Sequence, residues 1–174
     1  MLFSARSSGS IPDTASLLIG LSPVKLKKSQ WTPTELQNVE MISDFVQKLM
    51  NDHDFDYILE TYANASYLQH NRNIPDGIEG LVEVLRGFTK SFPDYCYDVK
   101  QILTDGDHVV FHSHATMKRA DRGNDKKGLN IMDNWKIRDG QIVEHWDSLQ
   151  PIDGFMRFFV LLNGGKIRNS NGMF

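Results

Sequence analysis

From Thr32 onward the chain carries two hydrophobic rhythms in succession. Leu36, Val39, Ile42, Phe45, Val46 and Leu49 recur every three or four positions, the spacing that keeps one face of a helix apolar. Thr32-Pro33-Thr34-Glu35 ahead of them is a start signal, with a hydroxyl to cap, a proline suited to the first turn and a glutamate placed to bond back to the cap. The helix should stop near Asn51, and a second, short one is expected over 55–62. Tyr67-Leu68-Gln69-His70-Asn71 reads as a short strand and Ile74-Pro75-Asp76-Gly77 as a turn. Asp76 with Glu79 then opens a third helix whose apolar face is Ile78, Leu81, Val82, Leu85 and Phe88, and Ser91-Phe92-Pro93 ends it.

Beyond Pro93 the period changes to two. Strands are expected over 95–103 and 108–117, joined by the turn Thr104-Asp105-Gly106-Asp107, and a charged loop over 118–127 follows. Residues 128–137 and 141–149 form a hairpin around Arg138-Asp139-Gly140. Three helices with one early strand, then four antiparallel strands, predict an α+β fold: a cone-shaped, curved antiparallel sheet wrapped around the N-terminal helices. The mouth of such a cone is a natural small-molecule pocket.

Composition narrows the function classes. Of 174 residues, 40% are hydrophobic and 24% charged, which is ordinary for one globular domain. A net charge of -3 argues against a nucleic-acid partner, since such domains usually present a basic face. The single cysteine, Cys96, fits a reducing cytoplasm and permits no intrachain disulfide. No apolar run approaches the roughly 20 residues that span a bilayer, so no membrane partner is expected. The run 15–21, ASLLIGL, has the look of a weak signal core but lacks a basic flank and a cleavage site. Residues 1–30 are therefore read as a loosely ordered leader, 31–152 as the cone domain and 153–174 as a C-terminal extension.

The chemistry concentrates in the last hairpin. A two-residue Asp139-Gly140 loop would set Asp133 opposite Trp146. A three-residue Arg138-Asp139-Gly140 loop would set it opposite His145. In the second register Ile131, Asp133, Trp135, Ile137, Val143, His145 and Asp147 share one face, so two carboxylates stand among aliphatic and aromatic groups. Lost solvent and mutual repulsion both raise a carboxylate pKa there, toward the range useful for proton transfer. The plainer reading is that Asp147 only ends a strand. On the strand 108–117, His112 and His114 share a side, the arrangement of an HxH metal pair. No third ligand follows at a recognisable spacing, so a partly exposed outer face is the preferred reading and no metal is expected.

Tyr67-Leu68-Gln69-His70-Asn71, Pro75-Asp76-Gly77, DGDHVVFHSHA, DNWKIRDGQIVEHWDSLQPI and the closing NGMF together resemble the SnoaL-like family. This family is a branch of the cone-shaped superfamily that also holds nuclear transport factor 2 and ketosteroid isomerase. The resemblance runs from about residue 35 to about 152, and takes in the last few residues. It implies a cyclase that closes a ring by intramolecular aldol condensation without cofactor or metal, with Asp147 as the catalytic aspartate of the last strand. Asp133 falls where the cyclases often carry histidine and where the isomerases carry an aspartic acid that stays protonated and donates to an oxyanion. On this basis His70, Asn71 and His145 are expected to hold or orient the ligand, with Trp135 and Phe111 as walls. For the aromatics, ordinary core packing is the competing reading.

Three functions are thus on the table. The first is a cofactor-free cyclase or isomerase acting on a small apolar carbonyl compound. The second is a non-catalytic module binding a small ligand or a protein. The third is a metal enzyme using His70, His112 and His114. The segment 155–162, FMRFFVLL, is apolar nearly all round and needs cover, and the outer sheet face is largely neutral, so a homodimer is expected.

Overall fold

The computed structural model describes residues 30–63, 66–163 and 168–173. The expected leader, 1–30, lies outside these residues except for Gln30, as do Phe174 and part of the C-terminal extension. Helix α1 (Pro33–Val46) starts as its sequence prescribes: Thr32 accepts from the Glu35 backbone N–H and the Glu35 carboxylate bonds back to the Thr32 N–H. Its apolar face supplies Val39, Ile42, Phe45 and Val46 to the core, each at most 1% exposed. The helix then widens into one π-type turn, Gln47–Asn51, which leaves Leu49 buried and turns Asn51 toward the sheet. Such turns aim a side chain that a regular helix would place elsewhere. Here the Asn51 amide pairs with the backbone N–H and C=O of Tyr97, at 2.8 and 3.0 Å, as a strand would.

Helix α2 (Phe55–Tyr62) and helix α3 (Gly77–Ser91) complete the helical layer. The sheet contains β1 (Leu68–Gln69), β2 (Cys96–Asp105), β3 (His108–Thr116), β4 (Leu129–Arg138) and β5 (Gln141–Pro151), in the order β1-β5-β4-β3-β2. The early strand is shorter than expected and joins the edge parallel to β5, so the sheet is mixed. The other neighbours are antiparallel. Between β3 and β4, Gly128 takes φ +85°, and a β-carbon there would sit 2.0 Å from the Ala115 carbonyl oxygen. The chain can pass β3 that closely only with glycine.

The last hairpin corrects the expected loop. Arg138 pairs with Gln141, so the loop is the two-residue Asp139-Gly140, with φ of 51° and 72°. A bulge follows between the Lys136–Glu144 and Ile137–Ile142 pairs. It restores the parity that a two-residue loop alone would have lost. Ile142 rather than Val143 turns inward, and the register beyond the bulge sets Asp133 opposite Asp147 and Trp135 opposite His145.

Helix α4 (Gly154–Asn163) closes the described fold. Met156 and Phe159 turn inward, the latter against Phe88 and Phe92, while Phe155, Phe158, Leu161 and Leu162 remain exposed. Among the described residues no helix is long and apolar enough to cross a membrane.

Candidate active site

Between α3, α4 and the inner face of the sheet lies a cavity of about 200 Å³. Leu81, Leu85, Phe88, Ile131 and Phe159 give it apolar walls, and its polar floor is Asn71, Tyr97, Asp133, His145 and Asp147. Strand alternation explains the floor. Tyr97 on β2, Asp133 on β4 and His145 and Asp147 on β5 all occupy inward positions, while the intervening residues face out.

Asp133 is 3% exposed and His145 5%. The Tyr97 hydroxyl donates to Asp133 Oδ2, and His145 Nε2 lies 3.0 Å from Asp133 Oδ1. Burial, reinforced by the Asp133 charge, pushes the Tyr97 phenol well above its ordinary range, so it stays protonated and remains a donor. On the far side of the imidazole, Nδ1 lies 3.1 Å from Gln69 Oε1. The ring is held between Tyr67 and Trp135, with centroids 6.2 and 5.2 Å away and planes within 17° and 26°.

Asp147 has fewer donors. Asn71 Nδ2 lies 2.8 and 2.7 Å from its two oxygens. Asn71 Oδ1 accepts from the backbone N–H of Asn73, which fixes the amide with its nitrogen toward Asp147. Burial raises the Asp147 pKa above the ordinary carboxylate value. The His145 charge opposes that shift, the Asp133 charge adds to it and the Asn71 hydrogen bond opposes it.

The residues expected from the sequence divide three ways. Asp133, Asp147, His145 and Asn71 converge on the cavity floor. Trp135 and Phe111 sit one layer deeper, in edge-to-face contact at 5.2 Å, so they support His145 from beneath rather than wall the cavity. His70 stands on the other side of β1: its ring stacks on Trp146 at 4.5 Å and its Nδ1 bonds the carbonyl of Gly172. The reason is alternation: Gln69 and Asn71 point to the site side, so His70 between them points away. Tyr97 and Gln69 escaped the sequence reading as site residues. The available signal was their type, because a tyrosine or glutamine at an inward strand position needs a buried hydrogen-bond partner.

His112 and His114 do not converge with His70. Their Nε2 atoms face Asn130 Oδ1 and the Lys127 carbonyl, each at 2.7 Å. The described residues that could together hold a cation are Asp133, His145 and Asp147, whose ligand atoms lie within 4.8 Å of one another. A cation there would displace the proton between His145 Nε2 and Asp133.

The SnoaL-like domain family profile matches residues 42–145. No curated protein matches. Among solved structures, one from Jannaschia sp. CCS1, assigned provisionally as a SnoaL-like polyketide cyclase, has a TM-score of 0.58 and 18% identity over 79% of this chain and 99% of its own. A second, assigned provisionally as a polyketide cyclase, from Bacillus cereus ATCC 10987, has a TM-score of 0.56 and 21% identity over 82% and 97%. AclR of Streptomyces galilaeus, assigned provisionally as a hydroxylase, has a TM-score of 0.53 and 19% identity over 75% and 97%. At these identities the similarity establishes the fold, and the fold alone does not choose a reaction.

Proposed function

The chain belongs to the SnoaL-like domain family, and from that premise we propose that it is a cofactor-independent cyclase or isomerase acting on a small apolar carbonyl compound. The observation that carries this reading is Asp147, a carboxylate with a raised pKa that opens onto an apolar cavity beside a second, hydrogen-bonded acid. A base works best when its pKa lies near the working pH, and burial moves Asp147 in that direction. Its carboxylate removes a proton from the carbon next to the substrate carbonyl. The C–H electrons pass to the carbonyl oxygen, and the proton held between Asp133 and His145 is placed to bond the resulting enolate. Donors fixed in this way typically contribute a few kcal/mol. In an aldol closure the enolate carbon attacks a second carbonyl of the same molecule and the new alkoxide takes a proton from Asp147. In an isomerisation Asp147 returns the proton to another carbon.

The reading extends to a homodimer and to the reducing cytoplasm, where the single cysteine, buried Cys96, would remain a thiol. The apolar walls suit a non-catalytic binder equally, and one substitution separates the two. Asp147→Asn keeps the shape and a hydrogen-bond acceptor for Asn71 but cannot take a proton. A panel of β-keto esters and polyketide-like ketones is screened for exchange of α-protons with solvent by NMR, with and without EDTA. The wild type should exchange regardless of chelator, and Asp147→Asn should be slower by about 10²–10⁴-fold. Equal rates in the two proteins would leave the binding module as the reading, and loss of the wild-type rate in EDTA would assign the chemistry to a metal.

A further inference from the structure

Gln69 is fully buried in a strand of two residues, where the inward position would ordinarily be apolar. Burying an amide is costly unless its polar atoms are matched, and here they are. Its backbone N–H donates to Asp76 Oδ1 at 2.8 Å and its carbonyl accepts from Asn171 Nδ2 at 2.7 Å. Its side-chain Nε2 lies 3.3 Å from the Tyr67 hydroxyl. Its Oε1 accepts from the backbone N–H of Asn71 at 2.9 Å. Asp76 precedes α3 in the cap position but makes no side-chain cap bond; its carboxylate is used on Gln69 instead.

The Asn71 contact decides the rest. A backbone N–H can only donate, so the atom of Gln69 facing it must be the amide oxygen. Turning the amide over would set its NH₂ against another donor. The same oxygen faces His145 Nδ1, which must therefore carry a hydrogen. With Nδ1 committed, Nε2 cannot hold the only hydrogen of a neutral ring. Either Asp133 is protonated and donates to Nε2, or the ring is an imidazolium and donates to Asp133. Both arrangements leave one transferable proton in that contact, and Tyr97 holds the other oxygen of Asp133. In the opposite tautomer Nε2–H would donate to an ionised Asp133, already bonded by Tyr97, and the pair would have no acid to offer.

We propose that Gln69 is a positioning residue: it fixes the His145 hydrogen on Nδ1 and so gives the His145–Asp133 pair the single proton that can be lent to a substrate oxygen. The use of that proton rests on the acid–base function proposed above, whereas its position is a property of the resting protein and can be tested without any substrate.

The experiment is long-range ¹H–¹⁵N correlation on the uniformly labelled full chain, with the His145 ring assigned by its disappearance in His145→Gln. The wild type should show a protonated Nδ1 at every pH at which it is folded. Gln69→Leu removes the acceptor and should invert the tautomer ratio by about tenfold or more, toward a bare Nδ1. Gln69→Glu restores an acceptor, and a charged one, and should return the hydrogen to Nδ1 with the ring as imidazolium. A bare Nδ1 in the wild type overturns the proposal, as does an unchanged tautomer in folded Gln69→Leu. If the leucine variant does not fold, the wild-type spectrum and the Gln69→Glu ring state decide alone. Where a substrate is available, Gln69→Leu should lower kcat with KM held. A correct tautomer with no turnover of any carbonyl compound would refute the proposed function and leave this inference standing.

Discussion

Asp133 and Asp147 are registered partners across the β4–β5 ladder, two inward carboxylates directly opposite each other. Like charges in that arrangement destabilise a sheet, so both cannot be ionised cheaply. Their surroundings break the tie. Asp133 has a tyrosine hydroxyl on one oxygen and an imidazole nitrogen on the other, whereas among the described residues Asp147 has the Asn71 amide alone. The charge of Asp147 is thus the less supported by donors, in keeping with its raised pKa.

This has a consequence for stability. The Asp147 pKa is raised in the folded protein, so the folded chain holds that proton more tightly than the unfolded chain does. The corresponding stability is present in full below the unfolded pKa of about 4 and is lost as pH rises through the raised folded value. Asp147→Asn should thus match the wild type near pH 4 and have the higher Tm near pH 7, by a margin that widens as pH rises. Thermal unfolding from pH 4 to 8 measures it, and a gap that does not grow with pH would count against the assignment.

Tyr97→Phe tests the other oxygen of the pair. The ring stays in place, but Asp133 Oδ2 loses its buried donor. Leaving a buried acceptor unpaired costs about 1–3 kcal/mol, which urea denaturation would show as a lower midpoint with an unchanged slope. Proton exchange of a ketone substrate should slow by about tenfold or more, because Asp133 is then less firmly placed for the enolate oxygen. A variant with full stability and rate would remove Tyr97 from the site.

The hydrophobic rhythm made the three helices and the long strands legible, because burial period and element type are tightly linked, whereas the shared face of Asp133 and Asp147 follows in the sequence from a three-residue loop and in the structure from a two-residue loop and a bulge. The Thr32–Glu35 box was equally plain, being a local hydrogen-bond pattern. Less local features were not. The bulge beside Ile142 is a property of the folded ladder, and nothing in Gln141-Ile142-Val143 marks it. The parallel attachment of β1 depends on residues about 76 positions away, Gln69 against His145. His70 is the more familiar catalytic type, but geometry gives its expected place to Gln69, beside the Asn71 that the sequence already offers.

Residues 168–173 lie against the β1 segment as a strap and offer a third test. Asn171 Nδ2 joins the Gln69 carbonyl to the Asp76 carboxylate, and Asn169 Nδ2 bonds the carbonyls of Asn71 and Ile74. Asn171→Ala should release the short β1 segment rather than unfold the domain. Amide hydrogen exchange at Gln69 and Asn71 should quicken by about tenfold, while Val109 and Phe111 in the interior strand β3 stay protected. Unchanged protection at Gln69 and Asn71 would mean that the strap is not what holds them.

The homodimer proposed above places the outer face of the sheet at the interface. Met132 is 39% exposed at the centre of that face, with His112 beside it. Sedimentation at micromolar concentration should give twice the chain mass of 19.9 kDa, and Met132→Glu should restore the single mass by burying an unpaired charge. A wild type that sediments as one chain would dismiss the dimer.

The final test concerns the base itself. Asn71 donates to both oxygens of Asp147, and a donor to the ionised form lowers a carboxyl pKa. Asn71→Leu removes that donor and adds apolar surface, so both changes push the Asp147 pKa further up. The base must be ionised to take a proton, so the acid limb of the rate–pH profile should move to higher pH, by about one unit for one charge-assisted bond. The substitution leaves the Asn71 backbone N–H on Gln69, so the His145 tautomer should be unaffected and the rate above the limb largely retained. Asn71→Asp places a like charge against Asp147 and should move the limb in the same direction. The measurement is the logarithm of the α-proton exchange rate against pH for the three proteins. If the limb stays in place in both variants, the group that titrates is not Asp147, and the base must be sought at Asp133 or His145.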